Sequence, residues 1–161
     1  MNTFKLESKE ECKEVKWCQI AASKDQARPI LNGLFIDSKK TIGCDGFRIH
    51  SIETPAALYD YDDKVIKPVS TITVKPQIQE IEEVPGTFPD YKIIIPTDEP
   101  VFKIAIDKKL LADLKTMPGN KAVVLSFTAA NRPVKVTCPG SDAMAIIMPM
   151  HLPTHTDTEK E

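Results

Sequence analysis

Glycine is scarce, with six residues in 161 against thirteen prolines. No Gly-rich phosphate loop can be found, and neither an HExxH stretch nor a paired-carboxylate motif stands out from the acidic background. The proline excess instead implies many strand ends and short connections, with room for two long helices at most. Long apolar runs are missing as well. None approaches the roughly 20 residues needed to cross a bilayer, which excludes a helical membrane protein. Net charge is nearly absent: 21 basic and 23 acidic residues leave −2. A chain that coats nucleic acid over its whole surface is therefore excluded, whereas a local basic face is not.

Cysteine is sparse and unpatterned. Cys12, Cys18, Cys44 and Cys138 show no CxxC or zinc-knuckle spacing, so reduced thiols in a core are expected, with no metal and no cofactor. The opening MNTFKLESKEE lacks the basic, apolar, small-residue order of a secretory signal, and a cytoplasmic location is expected.

The elements that are present follow a repeated order. Residues 3–6 read as a strand, and Ser8 with Glu11 forms a capping box for a helix from Lys9 to about Ser23. Cys12, Val15, Cys18 and Ala22 recur at helical spacing and make its apolar stripe. Strands are expected at Ile30–Ile36, Thr41–Cys44 and, after the Asp45-Gly46 turn, Phe47–Ile52. Pro55–Glu83 is expected to add one or two edge strands, with a β-branched run at Val69–Val74. Further on, Val101–Ile106 alternates as a strand, and Asp107 can cap a helix over Lys108–Met117 that buries Leu110, Leu111, Leu114 and Met117. Ala122–Thr128, Val134–Cys138 and Ala143–Met148 are the last strand candidates. Strand, helix, three strands thus occurs twice. The polar stretch 153–161 reads as a frayed tail after a single domain over 1–152.

Four short blocks carry more than pattern. Ala27-Arg28-Pro29-Ile30-Leu31-Asn32-Gly33, Cys44-Asp45-Gly46-Phe47-Arg48-Ile49, Gly86-Thr87-Phe88-Pro89-Asp90-Tyr91 and Ile146-Ile147-Met148-Pro149-Met150-His151-Leu152 resemble, in order, segments of the bacterial DNA sliding clamp, the β subunit of the replicative polymerase holoenzyme. The resemblance implies an α+β, DNA-clamp-like domain. Its two strand-helix-three-strand halves would carry antiparallel sheets, with two helices on one side. It also implies a peptide-binding groove made by Leu31, Cys44, Gly46, Phe47, Arg48, Ile49, Pro89, Ile93, Ile94, Ile146, Ile147, Met148, Pro149 and Met150. The expected guests are clamp-binding-motif peptides of DNA polymerase or clamp loader. Lys9, Lys13, Lys16, Lys24, Lys108, Lys109 and Lys115 are the matching candidates for contacting duplex DNA without sequence preference.

Family clamps carry three such domains and close a ring as dimers, whereas 161 residues suffice for one domain. The first half resembles the start of the family's middle domain and the second half the end of its last, so an internally shortened clamp is implied. Phe47 stands where the family usually has His, and His151 where it usually has Arg. Two functions remain open: a processivity factor that self-associates into a homo-oligomer to encircle DNA, and an adaptor or decoy that binds the same peptides without encircling it. Catalysis is not expected, because Cys44, His50 and Asp45 could be imagined as a thiol hydrolase but no nucleophile elbow accompanies them.

Overall fold

The computed structural model describes residues 2–151; the expected tail at 153–161 lies outside the described residues. Two compact units divide the chain, Met1–Pro96 and Thr97–Glu161.

The first unit begins with strand β1 (Asn2–Lys5) and helix α1 (Lys9–Ala21). The capping box forms as expected, with Ser8 Oγ accepting from the Glu11 amide at 3.1 Å and Glu11 Oε2 accepting from the Ser8 amide at 3.1 Å. Two amides that the first turn leaves unpaired are thereby satisfied. Cys12, Val15 and Cys18 are buried as the stripe demands, but Ala21 rather than Ala22 completes it. The helix ends two residues early: Ala22 is already extended, at ψ 141°.

Strands β2 (Leu34–Asp37), β3 (Lys40–Cys44), β4 (Ile49–Glu53), β5 (Lys64–Pro68) and β6 (Ile78–Val84) join β1 in one antiparallel sheet of order β1-β6-β5-β2-β3-β4. The strand expected from Ile30 starts only at Leu34, because Pro29 opens a 3-10 turn closed by the Asn32 amide on the Pro29 carbonyl at 2.9 Å. The 55–83 region supplies two central strands rather than edge strands. The Val69–Val74 run is not a strand either: Ile72 is buried and its amide donates to Gln19 Oε1 at 2.9 Å, so the segment is tied to α1 instead of to a sheet neighbour.

Alternation gives this sheet two apolar faces. Leu34, Ile36 and Ile66 pack with Cys12, Val15 and Cys18 beneath α1. Phe35, Ile42 and Val65 point the other way and are covered by Phe88 and Tyr91, with the Phe35 and Phe88 rings stacked at 4.8 Å. Helix and sheet approach closely at one point, where a Cβ added to Gly43 would lie 1.9 Å from the Cys18 carbonyl oxygen. Burial there also pushes the Cys18 thiol up to about 12.

The second unit holds helix α2 (Lys108–Asp113), prolonged by a 3-10 turn over Leu114–Thr116, and an antiparallel sheet β7 (Val124–Ser126), β8 (Val134–Thr137), β9 (Met144–Ile147). Asp107 caps α2, accepting from the Lys109 amide at 2.8 Å. The strand expected at Val101–Ile106 is reduced to one bridge, Ala105 with Met150. Leu114 and Met117 pack on Val134, Val136 and Ile147, but Leu110 and Leu111 remain 43% and 41% exposed. Six α-helical residues make fewer than two turns, too few for the full stripe to lie on the sheet. The described residues therefore form an α+β fold with two helices, a six-stranded sheet and a three-stranded sheet.

Ser8→Ala is expected to lower unfolding stability by about 1 kcal/mol, the usual loss for an N-cap. Gly43→Ala should lower it further, because the obstructing atom is backbone. Urea unfolding of both variants checks the order; a Gly43→Ala midpoint equal to wild type would contradict the close approach.

Candidate functional site

Asp45 shapes the loop between β3 and β4. Its Oδ1 accepts from the amides of Phe47 at 2.9 Å and Arg48 at 3.1 Å, while Oδ2 takes Arg48 Nε at 3.0 Å. The Phe47 amide first, then the hydrogen bonds and charge of Arg48, hold this carboxyl below the usual carboxylate range against the opposing effect of desolvation. Arg48 Nη2 continues to the Ile20 carbonyl at the end of α1, at 2.9 Å. Gly46 supplies the positive φ of 89° that the turn requires. With its backbone held this way, Phe47 projects outward and is 93% exposed.

Beside that ring lies an apolar cavity of about 480 Å³ lined by Cys44, Gly46, Phe47, Arg48, Ile49, Ser51, Ile94, Ile95 and Pro96. Six of the groove residues expected from the sequence, Cys44, Gly46, Phe47, Arg48, Ile49 and Ile94, are brought together here. Ser51, Ile95 and Pro96 were not anticipated. Ser51 was legible from its two-residue spacing to Ile49 on one strand, and Ile95 and Pro96 from following Ile94 directly.

Other expected members sit elsewhere in the first unit. Leu31 is buried in the core with Ile42, Val65, Phe88 and Tyr91. Pro89 lines a separate cavity of about 390 Å³ with Phe35, Asp37, Asp62 and Lys92. Ile93 is exposed and lines neither cavity. The segment carrying these residues is anchored through Asp37, whose Oδ2 accepts from Tyr91 Oη at 2.9 Å and pairs with Lys92 Nζ at 2.6 Å. Lys92 and then Tyr91 depress the Asp37 carboxyl, while burial and the Asp37 contact push the Tyr91 phenol up to about 12.

In the second unit, Ile146 and Ile147 line a cavity of about 390 Å³ with Leu110, Leu114, Met117 and Met144. Ile147 is largely core, whereas Ile146, Met148 and Met150 alternate outward at 53%, 62% and 58% exposure. Pro149 is half-buried between them, and the Met150 amide donates to the Ala105 carbonyl at 2.8 Å.

The lysines proposed for DNA divide by unit. Lys9, Lys13 and Lys24 are exposed and Lys16 half-buried along or just after α1, with Lys13 paired to Glu10 at 3.6 Å. Lys108, Lys109 and Lys115 are exposed on α2 and its extension. The hypothetical thiol hydrolase is not assembled: His50 stacks on Trp17 at 4.0 Å with Nδ1 2.7 Å from the Trp17 carbonyl, and Asp45 is engaged by its own loop. Among the described residues, no three His, Cys, Asp or Glu side chains are grouped to hold a metal ion, and no helix is long and apolar enough to cross a membrane.

Neither a protein-family model nor a curated protein matches the chain by sequence. Solved structures of bacterial sliding clamps do match its fold. A beta sliding clamp of C. crescentus, with polyethylene glycol bound in the region proposed for beta-motif tethering, is similar at a TM-score of 0.60 and 17% identity, over 92% of this chain and 50% of that one. The DNA polymerase sliding clamp from Bacillus subtilis gives 0.56 at 15% identity, over 92% and 49%. Caulobacter crescentus pol III beta gives 0.58 at 15% identity, over 92% and 51%. The chain spans about half the length of these clamps, and the likeness at this identity is one of fold.

The Asp37 anchor predicts a pH dependence. A carboxyl depressed in the folded state stabilises the fold above its unfolded value of about 4, and that contribution is lost as pH falls through the folded value. Wild type should lose stability more steeply below about pH 4 than Asp37→Asn. Parallel acid-limb slopes in urea unfolding would contradict the assignment.

Proposed function

We propose that the chain is a sliding-clamp-like, non-catalytic interaction protein that takes clamp-binding-motif peptides of DNA polymerase or clamp loader into an apolar groove. One observation carries this reading: the Asp45-braced loop offers Phe47 at 93% exposure beside an apolar cavity bounded by Cys44, Ile49, Ile94 and Pro96. A large apolar ring left in water favours a guest that covers it, and burying one such side chain contributes about 1.5–3 kcal/mol. In the proposal Cys44, Gly46, Arg48, Ile49 and Ile94 line the groove beside Phe47, and the exposed Ile146, Met148 and Met150 of the second unit offer a separate apolar contact whose methionines adapt to several guests. The clamp-like fold supports the choice of guest.

As a processivity factor the chain would self-associate around duplex DNA, so that Lys9, Lys13, Lys16, Lys24, Lys108, Lys109 and Lys115 touch phosphates without reading bases. A second reading, an adaptor or decoy that holds the peptides without encircling DNA, is favoured by the charge of α1. Glu10, Glu11 and Glu14 offset Lys9, Lys13 and Lys16 there, leaving little net attraction for phosphate.

Phe47→Ala and Met148→Ala are each expected to weaken binding of a fluorescent clamp-motif peptide about tenfold in anisotropy titrations. Unchanged affinity in both would remove the groove. Light scattering with and without duplex DNA separates the two readings: a DNA-bound oligomer supports the processivity factor, and a monomer at every concentration supports the adaptor.

A further inference from the structure

The cavity at the C-terminal end of α1 has a different chemistry from the Phe47 groove. Its volume is about 480 Å³, within the ~300–1,000 Å³ usual for small-molecule sites. Lys16 and Lys24 line it from the helix side and Lys67 from β5, with Asn32, Ser70 and Thr71 among the other polar groups and no carboxylate in the lining. Among the described residues none of these three lysines has an ion-pair partner, whereas Lys13, Lys64 and Lys92 each have one. Three lysines without an ion pair around one cavity are unexpected in a chain of net charge −2. The nearby carboxylate of Asp25 does not offset them, being held by Arg28 at 3.2 Å.

A second observation is independent of charge. Asn32 Oδ1 is the one buried side-chain polar atom without a hydrogen-bond partner among the described residues, and Asn32 lines this cavity. Turning the amide over leaves a buried N–H₂ in the same position, so either orientation calls for a polar partner. Thr71 also lines the cavity and carries an exposed hydroxyl.

We propose that this cavity is a binding site for a small phosphate ester carrying hydroxyl groups, with Lys16, Lys24 and Lys67 meeting the phosphate and Asn32 and Thr71 the hydroxyls. A phosphate monoester carries about −1.5 to −2 charge at neutral pH and matches lysines as point charges. The inference does not rest on the peptide groove, and Lys67 belongs to no helix, which separates this site from a row of helix lysines along DNA.

Isothermal titration of the full chain with ribose 5-phosphate, ribose, inorganic phosphate and a short DNA duplex tests the site. Saturable binding of ribose 5-phosphate is expected, tighter than that of inorganic phosphate or ribose and weaker as salt rises. Lys67→Gln should reduce it about tenfold, with the unfolding midpoint checking that the variant is folded. No saturable binding of ribose 5-phosphate, equal affinity in Lys67→Gln, or heat from the duplex alone would each overturn the site. Affinity for inorganic phosphate equal to that for ribose 5-phosphate would overturn the part given to Asn32 and Thr71.

Discussion

The first unit depends on how closely α1 lies on β3. Only a residue without a side chain at position 43 lets the Cys18 carbonyl come so near, and everything around that contact is set by it. Cys18 Sγ reaches the Thr41 carbonyl at 3.4 Å, and the Ser23 amide just past the helix end donates to the Leu31 carbonyl at 2.8 Å and to the Cys44 carbonyl at 3.2 Å. The end of α1 thereby becomes a fixed platform. Arg48 hydrogen-bonds to the Ile20 carbonyl and His50 stacks on Trp17, so the loop presenting Phe47 hangs from the helix as well as from its own strands.

The opposite face of the sheet is closed by a loop segment that ends in a 3-10 turn over Tyr91–Ile94, and closure there needs both packing and charge. Phe88 and Tyr91 bury against Phe35, Ile42 and Val65, and Asp37 gathers the Tyr91 hydroxyl and the Lys92 ammonium. Because the chain is held at Tyr91 and Lys92, Ile94, Ile95 and Pro96 arrive beside the 44–49 loop and complete the apolar cavity. A loop braced by one carboxylate and a segment latched by another thus share the construction of one surface.

The two cavities of about 480 Å³ in this unit differ in kind: one is apolar around an outward Phe, the other ringed by lysines and buried amide. The contrast follows from period two and from the helix face. Alternate residues of β4 turn Ile49 and Ser51 to the apolar side, while α1, the segment just after it and the end of β5 bring Lys16, Lys24 and Lys67 around the other. Neither cavity needs the second unit for its lining.

What could be read from residue order alone was local. The Ser8 and Asp107 caps, the start of α1, the strands β2, β3, β4, β7, β8 and β9 to within a few residues, and the tight Asp45-Gly46 turn are all governed by neighbours within about four positions. The order of blocks also suggested the clamp-like fold, now matched by solved structures. Tertiary structure alone decided the rest. Periodicity states which side of a strand is apolar but not what will cover it. It therefore could not tell that β5 and β6 run through the middle of the sheet, that Ile72 answers to Gln19, or that Leu31 lies in the core while Pro89 borders a second cavity. Those outcomes depend on contacts between residues tens of positions apart, whose pairing a one-dimensional pattern does not encode.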